Sequence, residues 1–314
     1  MITDYVVRVG FVILACLLLA TLVLVPAQGA TYYVTMSGSD ANPGTEAQPW
    51  CTIQKAAATL IAGDMVFVKE GSYNERVIPH NSGNPGDYIA YIAYPGDTVT
   101  IDGTDIPVPG EFDWDGLFDV SGRSYIKVSG LTVMNSASAG IFVQAGSNHI
   151  IIEKNYTYNT HSSGIGVWGC RNIIIDGNEV ELACNDGYSE CITVAGTDTF
   201  EIRNNHVHHP GPGTLGGEGI DVKDGSSNGK VYQNYVHDIP NGIGIYVDAW
   251  DKHTYNIDVF RNIVHDCPGQ GFAVASEAGG LLENPNAENV VIRNNICSQN
   301  LSFQIAVEAD VPAE

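Results

Sequence analysis

The chain has 314 residues and carries 36 acidic against 14 basic side chains, a net charge of −22 with histidine neutral. That balance excludes nucleic acid as a partner, because such binding depends on cations neutralising phosphate, and it repels polyanionic glycans unless cations intervene.

Residues 1–29 read as an export signal: Arg8 precedes the apolar run "VGFVILACLLLATLVLV", and "PAQGA" follows with Ala27 and Gly29 at cleavage spacing. Uncleaved, the same run would serve as an anchor. The expected mature domain is 30–314, secreted or held at the cell surface. It has no stable membrane span, since no other run approaches the ~20 apolar residues needed. Six cysteines remain in it, Cys51, Cys170, Cys184, Cys191, Cys267 and Cys297. The count suits disulfides in an oxidising compartment; the pairing is open, with Cys184 and Cys191 closest in sequence.

From Gly116 onward the sequence repeats. "GLFDV", "GIFVQ", "GIGVW", "CITVA", "GIDVK", "GIYVD" and "GFAVA" begin at Gly116, Gly140, Gly164, Cys191, Gly219, Gly244 and Gly271, spaced by 24 to 28 residues. Second β-rich segments follow and end at Asn155, Asn178, Asn205, Asn234, Asn262 and Asn295. Short strands at a period in the twenties, with no helical pattern between them, imply an all-β solenoid whose coils bury apolar faces by stacking. Alternation turns Ile220 and Val222 of "GIDVK" inward and sends Asp221 and Lys223 to the outer face. The asparagines recur at one corner, where an amide can bond backbone and its counterparts above and below. The chain finishes "QIAVEADVPAE" with Ile305 and Val307 in strand register and no evident cap, so a homo-oligomer or end-to-end stacking of copies is expected.

The segment "TYYVTMSGSDANPGTEAQPWCTIQKAAATLIAGDMVFVKEGSYNER", with "IAYPGDTVTIDG" after it, resembles the opening of secreted proteins of the pectin-lyase-like superfamily. The resemblance implies a single-stranded right-handed parallel β-helix, with "TIQKAAATL" as a short N-terminal capping helix. It does not choose an activity, because this architecture carries lyases, hydrolases, epimerases and adhesins.

Equivalent outward residues should form columns about 4.8 Å apart per coil. One runs Gln144, Trp168, Ala195, Lys223, Asp248, Ala275, and its neighbour Phe142, Gly166, Thr193, Asp221, Tyr246, Ala273. Glu190 and Glu218 enter just before their strands, and "AWDKHTY" adds Trp250, Lys252 and His253. Trp168, Tyr246 and Trp250 offer rings on which a sugar can stack. Glu190, Glu218, Asp221, Asp224 and Asp248 offer oxygen ligands for Ca²⁺, which would neutralise a uronate carboxylate and acidify its α-proton. A neutral Lys223 could then remove that proton, although aspartates on both sides favour its charged form. Glu218 with Lys223 five positions on, and "SECI" one coil earlier, is similar to calcium-dependent chondroitinase B and alginate lyases. That resemblance implies a calcium-binding Glu218 and a basic Lys223. The family's arginine on the following coil is missing from "GIYVDAW", which leaves Lys252, beside His253, as its substitute.

The leading expectation is therefore an extracellular protein acting on an acidic polysaccharide, by calcium-assisted β-elimination. The alternatives are a non-catalytic surface or matrix protein that binds glycan or self-assembles, and a hydrolase pairing Asp221 with Asp224 or Asp248. For Lys223 itself, the plain alternative is a surface ion-pair cluster worth about 1 kcal/mol. His208, His237 and His265 should stack in one column as a hydrogen-bonded ladder, since a single column does not surround a metal. Asn155 in "NYT" and Asn300 in "NLS" fit the glycosylation pattern.

Overall fold

The computed structural model describes residues 29–108, 115–212, 217–240, 242–276, 285–300 and 302–309. The export signal read at 1–29 lies outside them apart from Gly29. The described chain winds into a parallel β-helix with three sheets of ten, nine and eight strands, each ordered along the solenoid axis. One coil shows the plan. Ile220–Lys223 lies in the eight-stranded sheet, Ser227–Tyr232 in the ten-stranded sheet and Tyr235–His237 in the nine-stranded sheet. Its inward residues Ile220, Val222, Val231 and Val236 are fully buried, each worth roughly 1.5–3 kcal/mol relative to exposure. A glycine at 229 makes room for the Phe200 ring of the previous coil, which a Cβ there would meet at 2.0 Å.

The seven-residue helix Ile53–Thr59 sits beside the first strand, Thr31–Val34, and buries Ile53, Ala56 and Ala57 in the common core. Thr52 caps its start by accepting from Lys55 N at 3.1 Å, and Glu75 accepts from the free N–H groups of Ile53 and Gln54 at 2.8 Å each. Ile296, Ile305 and Val307 of the last described coil are exposed.

The corner between the ten- and nine-stranded sheets is built the same way in every coil from Asn155 to Asn295. A left-handed residue makes the bend: Lys154, Gly177, Asn204, Gln233, Arg261 and Asn294 all have φ between 54° and 66°. The asparagine after it turns inward. Asn205, for example, accepts at Oδ1 from the backbone and the side chain of Asn178, and donates from Nδ2 to Ile175 O and to Asn234 Oδ1, all at 2.9–3.0 Å. Asn155 is part of this ladder and only 2% exposed, and Asn300 is 7% exposed, so neither glycosylation motif is available in the folded chain.

Replacing Asn205 with alanine would leave two donors on Asn178 and the Ile175 carbonyl unpaired in the interior. At about 1–3 kcal/mol per buried unsatisfied group, the loss should exceed 3 kcal/mol. Urea denaturation should show it, while Asn204→Gly, which removes an exposed bond to Asp176 but keeps the left-handed bend, should cost under about 1 kcal/mol.

Candidate functional site

Strand register places the outward residues in the expected columns. Phe142 pairs with Gly166, Gly166 with Thr193, Thr193 with Asp221 and Asp221 with Tyr246, while Trp168 pairs with Ala195 and Ala195 with Lys223. Burial is where the molecule departs from the sequence reading. Around Lys223 the outer face is covered: Asp221 is 2% exposed, Asp248 3%, Glu190 8% and the Lys223 side chain 13%. The expected surface ion-pair cluster is an interior one.

The Lys223 ammonium lies 2.5 Å from Glu190 Oε1 and 3.1 Å from Asp221 Oδ2. Thr193 donates to the other Glu190 oxygen at 2.8 Å and is itself 3.0 Å from Ser163 Oγ. Burial by itself would discharge the lysine, but Asp221, Glu190 and Asp248 overcome it and hold the Lys223 pKa well above its ordinary value. Asp221 is pushed upward, first by burial and then by Glu190 and Glu218, against the pull of Lys223. The cluster thus has more carboxylate charge than one ammonium offsets. Asp221 Oδ1 is buried with no hydrogen-bond partner among the described residues.

That orphaned oxygen, with Glu190, Glu218 and Asp248 around it, is the donor chemistry of a hard cation such as Ca²⁺. Asp224 is committed elsewhere: its Oδ1 accepts from the backbone of Trp250 at 3.1 Å and Asp251 at 2.9 Å, fixing the loop that follows the next strand. This loop helps form a groove lined by Gln144, Trp168, Ala195, Asp224, Asp251 and Lys252. The groove follows the Trp168 column, of which Lys223 is the next member. Trp168 and Lys252 therefore meet one groove. Tyr246 is half-buried beside Asp221, and Trp250 is half-exposed. The Lys252 stem packs on Gly225, where a Cβ would lie 3.1 Å from its Cδ, and His253 is exposed without a hydrogen bond or ion pair to the cluster.

Two features had little signal in the sequence. All but one of the strands of the nine-stranded sheet are three residues long, among them Glu179–Glu181, His206–His208 and Tyr235–His237, too short for alternation to announce them. They gather histidines and acids on a second face; "NNHVHH" at residues 204–209 was the available clue. The six cysteines are all free thiols, with Cys184 and Cys191 Sγ atoms 3.8 Å apart in the core.

A coiled stack of parallel strands in three sheets, with a short helix beside the first strand, defines a right-handed parallel β-helix of the pectin-lyase-like type. The chain belongs to the right-handed β-helix family: the model for the Pel9A-like, right handed beta helix region matches residues 32–191, and that for the right handed beta helix region matches 116–284 and 190–311. It is 30% identical over 327 residues to the uncharacterized protein YwoF of Bacillus subtilis, covering 85% of this chain and 69% of that one. It is 27% identical over 149 residues to pectate lyase PEL9 of Emericella nidulans, covering 45% of this chain and 36% of the enzyme. The crystal structure of pectate lyase Pel9A superimposes with a TM-score of 0.59 at 14% identity, covering 87% of this chain and 80% of that one.

Two stability effects follow from the burial. Lys223→Ala strands buried carboxylates and should cost about 3–5 kcal/mol at neutral pH by urea denaturation. Asp221 has a raised folded pKa, so the native state holds a proton that the unfolded chain releases; stability from this group is present below pH ~4 and falls as pH rises above it. Asp221→Asn should flatten that decline in calcium-free buffer between about pH 4 and pH 7. An unchanged slope would mean that Asp221 is not the strained carboxylate.

Proposed function

We propose that the protein acts outside the cell on an acidic polysaccharide, binding it along the Trp168 groove and cleaving it by β-elimination. The observation that carries this reading is the orphaned Asp221 oxygen in a buried carboxylate nest around Lys223, which follows Ala195 of the groove lining in the same column. Glu190, Glu218, Asp221 and Asp248 would hold Ca²⁺; when bound, it supplies neutralisation of the uronate carboxylate and so acidifies the α-proton. Trp168 offers a face for a pyranose ring, and Lys252 on the opposite loop offers a cation to a neighbouring uronate. Lys223, having first given its own proton to solvent, accepts the α-proton; a carbon–carbon double bond forms as the glycosidic carbon–oxygen bond breaks, and the leaving oxygen takes a proton from solvent. In the resting protein its carboxylate partners hold it charged, so it can serve as base only once their charge is engaged elsewhere. Secretion accords with the export signal, and among the described residues no helix is long and apolar enough to cross a membrane.

The firm grip of Glu190 and Asp221 on Lys223 favours a second reading, a binding protein whose groove offers fixed charges without cleavage. Incubation with a panel of uronate polymers, with calcium or with chelator, separates the two. Cleavage by elimination gives ultraviolet-absorbing unsaturated ends in calcium only, and hydrolysis through paired aspartates gives saturated ends. Lys223→Arg, checked for folding by its melting curve, should lose at least about 100-fold in elimination rate because guanidinium stays protonated near neutral pH. Parent-like cleavage by this variant would remove Lys223 as base. Saturable binding without product would establish the binding protein. Millimolar calcium should also raise the melting temperature, and Asp221→Asn should reduce the rise.

A further inference from the structure

The outer face of the nine-stranded sheet presents two neighbouring columns. Glu179, His206 and Tyr235 occupy successive coils of one, and Glu181, His208, His237 and His265 occupy those of the other. His206 and His208 lie two apart on one strand with Val207 buried between them, so both imidazoles point outward together. A single column does not surround an ion. Two adjacent columns with a carboxylate one coil away can.

The hydrogen bonds fix which nitrogens are bare. His237 Nδ1 is 2.6 Å from Asp238 Oδ2, a distance that requires an N–H there. In neutral His237 the other nitrogen, Nε2, must then accept, and its partner at 2.8 Å is His206 Nε2, which therefore carries the hydrogen of His206. That leaves His206 Nδ1 as a bare lone pair, 3.8 Å from Glu179 Oε1. His208 makes the matching arrangement: Nδ1 is 2.8 Å from His209 Nδ1, and Nε2 is 3.2 Å from the same Glu179 oxygen. If His208 donates to His209, a second lone pair faces that carboxylate. Lone pairs pointing at an anion are unfavourable unless a cation lies between them.

We propose that Glu179 Oε1, His206 Nδ1 and His208 Nε2 form a site for Zn²⁺. These three ligand atoms all lie within 4.8 Å of one another, and two of the separations, 3.2 and 3.8 Å, bracket the roughly 3.3 Å between ligands of a tetrahedral zinc with bonds near 2.05 Å. With zinc bound, each histidine would give its remaining N–H to another imidazole, His206 to His237 and His208 to His209, the outer arrangement that orients metal-binding histidines and raises their basicity. Three protein ligands leave a fourth position for solvent or an exogenous group. The ion would join the Glu179 coil to the His206 coil, on a different sheet from the Trp168 groove.

The test is calorimetric titration of the full chain, made without a histidine tag and stripped with chelator, using ZnCl₂ alone and CaCl₂ as comparison. Saturable uptake of zinc that calcium does not compete away is expected at this face. Glu179→Gln and His206→Gln alter half-exposed side chains and should each weaken it by about 10-fold or more. His237→Phe should weaken it less, by removing the acceptor that orients His206. Asp221→Asn should leave it unchanged. Absence of saturable zinc binding, or equal affinity in the Glu179 and His206 variants, would overturn the proposal.

Discussion

An asparagine in the corner ladder can satisfy its own amide only by bonding to the coils on both sides of it. Asn178, Asn205, Asn234 and Asn262 each accept from the previous asparagine and donate to the next. One coil cannot slip relative to its neighbour without leaving several buried polar groups unpaired, and each such group costs more than a hydrogen bond gains. The ladder thereby locks register, and register is what the rest of the molecule uses. Left-handed residues before each asparagine give the sharp bend, stacked isoleucines and valines fill the interior, and the outer face receives side chains in aligned columns.

Those columns explain how a chain with so few cations builds a charged interior site. Asp221 and Lys223 are two residues apart on one strand, while Glu190 comes from the coil before and Asp248 from the coil after. Only the Asp221–Lys223 pairing is local, and the contributions from neighbouring coils complete a site with one ammonium among buried carboxylates. The arrangement is costly for the fold, as the upward displacement of Asp221 indicates. A structural role alone would be met more cheaply by apolar residues. Under the proposed function, the groove with its indole and charged groups of both signs would be the reason for keeping the cluster.

Much of this was legible in the sequence because repetition turns spacing into geometry. The period sets which residues are in register, so Trp168, Ala195 and Lys223 align from their spacing alone. Asn155 to Asn295 were recognisable as a structural column for the same reason. What could not be read was cover. Strand alternation separates inner from outer faces, but it cannot say that Asp221 and Asp248, although outward, are shielded from water. Asp224 looked equivalent to Asp221 by composition, yet its carboxylate holds the Trp250 loop. The histidine face was legible only in part: the column His208, His237 and His265 followed from the asparagine spacing, but its strands span three residues, and the facing of His206 towards Glu179 and His237 depends on a sheet that no alternation pattern revealed.

The central claim is that the buried carboxylate–lysine cluster and the Trp168 groove form one polysaccharide site. The most direct measurement is a crystal structure of the Lys223→Arg protein with calcium and a uronate oligosaccharide. The account predicts a sugar ring on Trp168, an ion at Asp221 Oδ1, and a uronate between that ion and residue 223. An oligosaccharide bound instead on another face, such as the outer surface around Tyr88, His149 and Arg203, with the Trp168 groove unfilled, would contradict it.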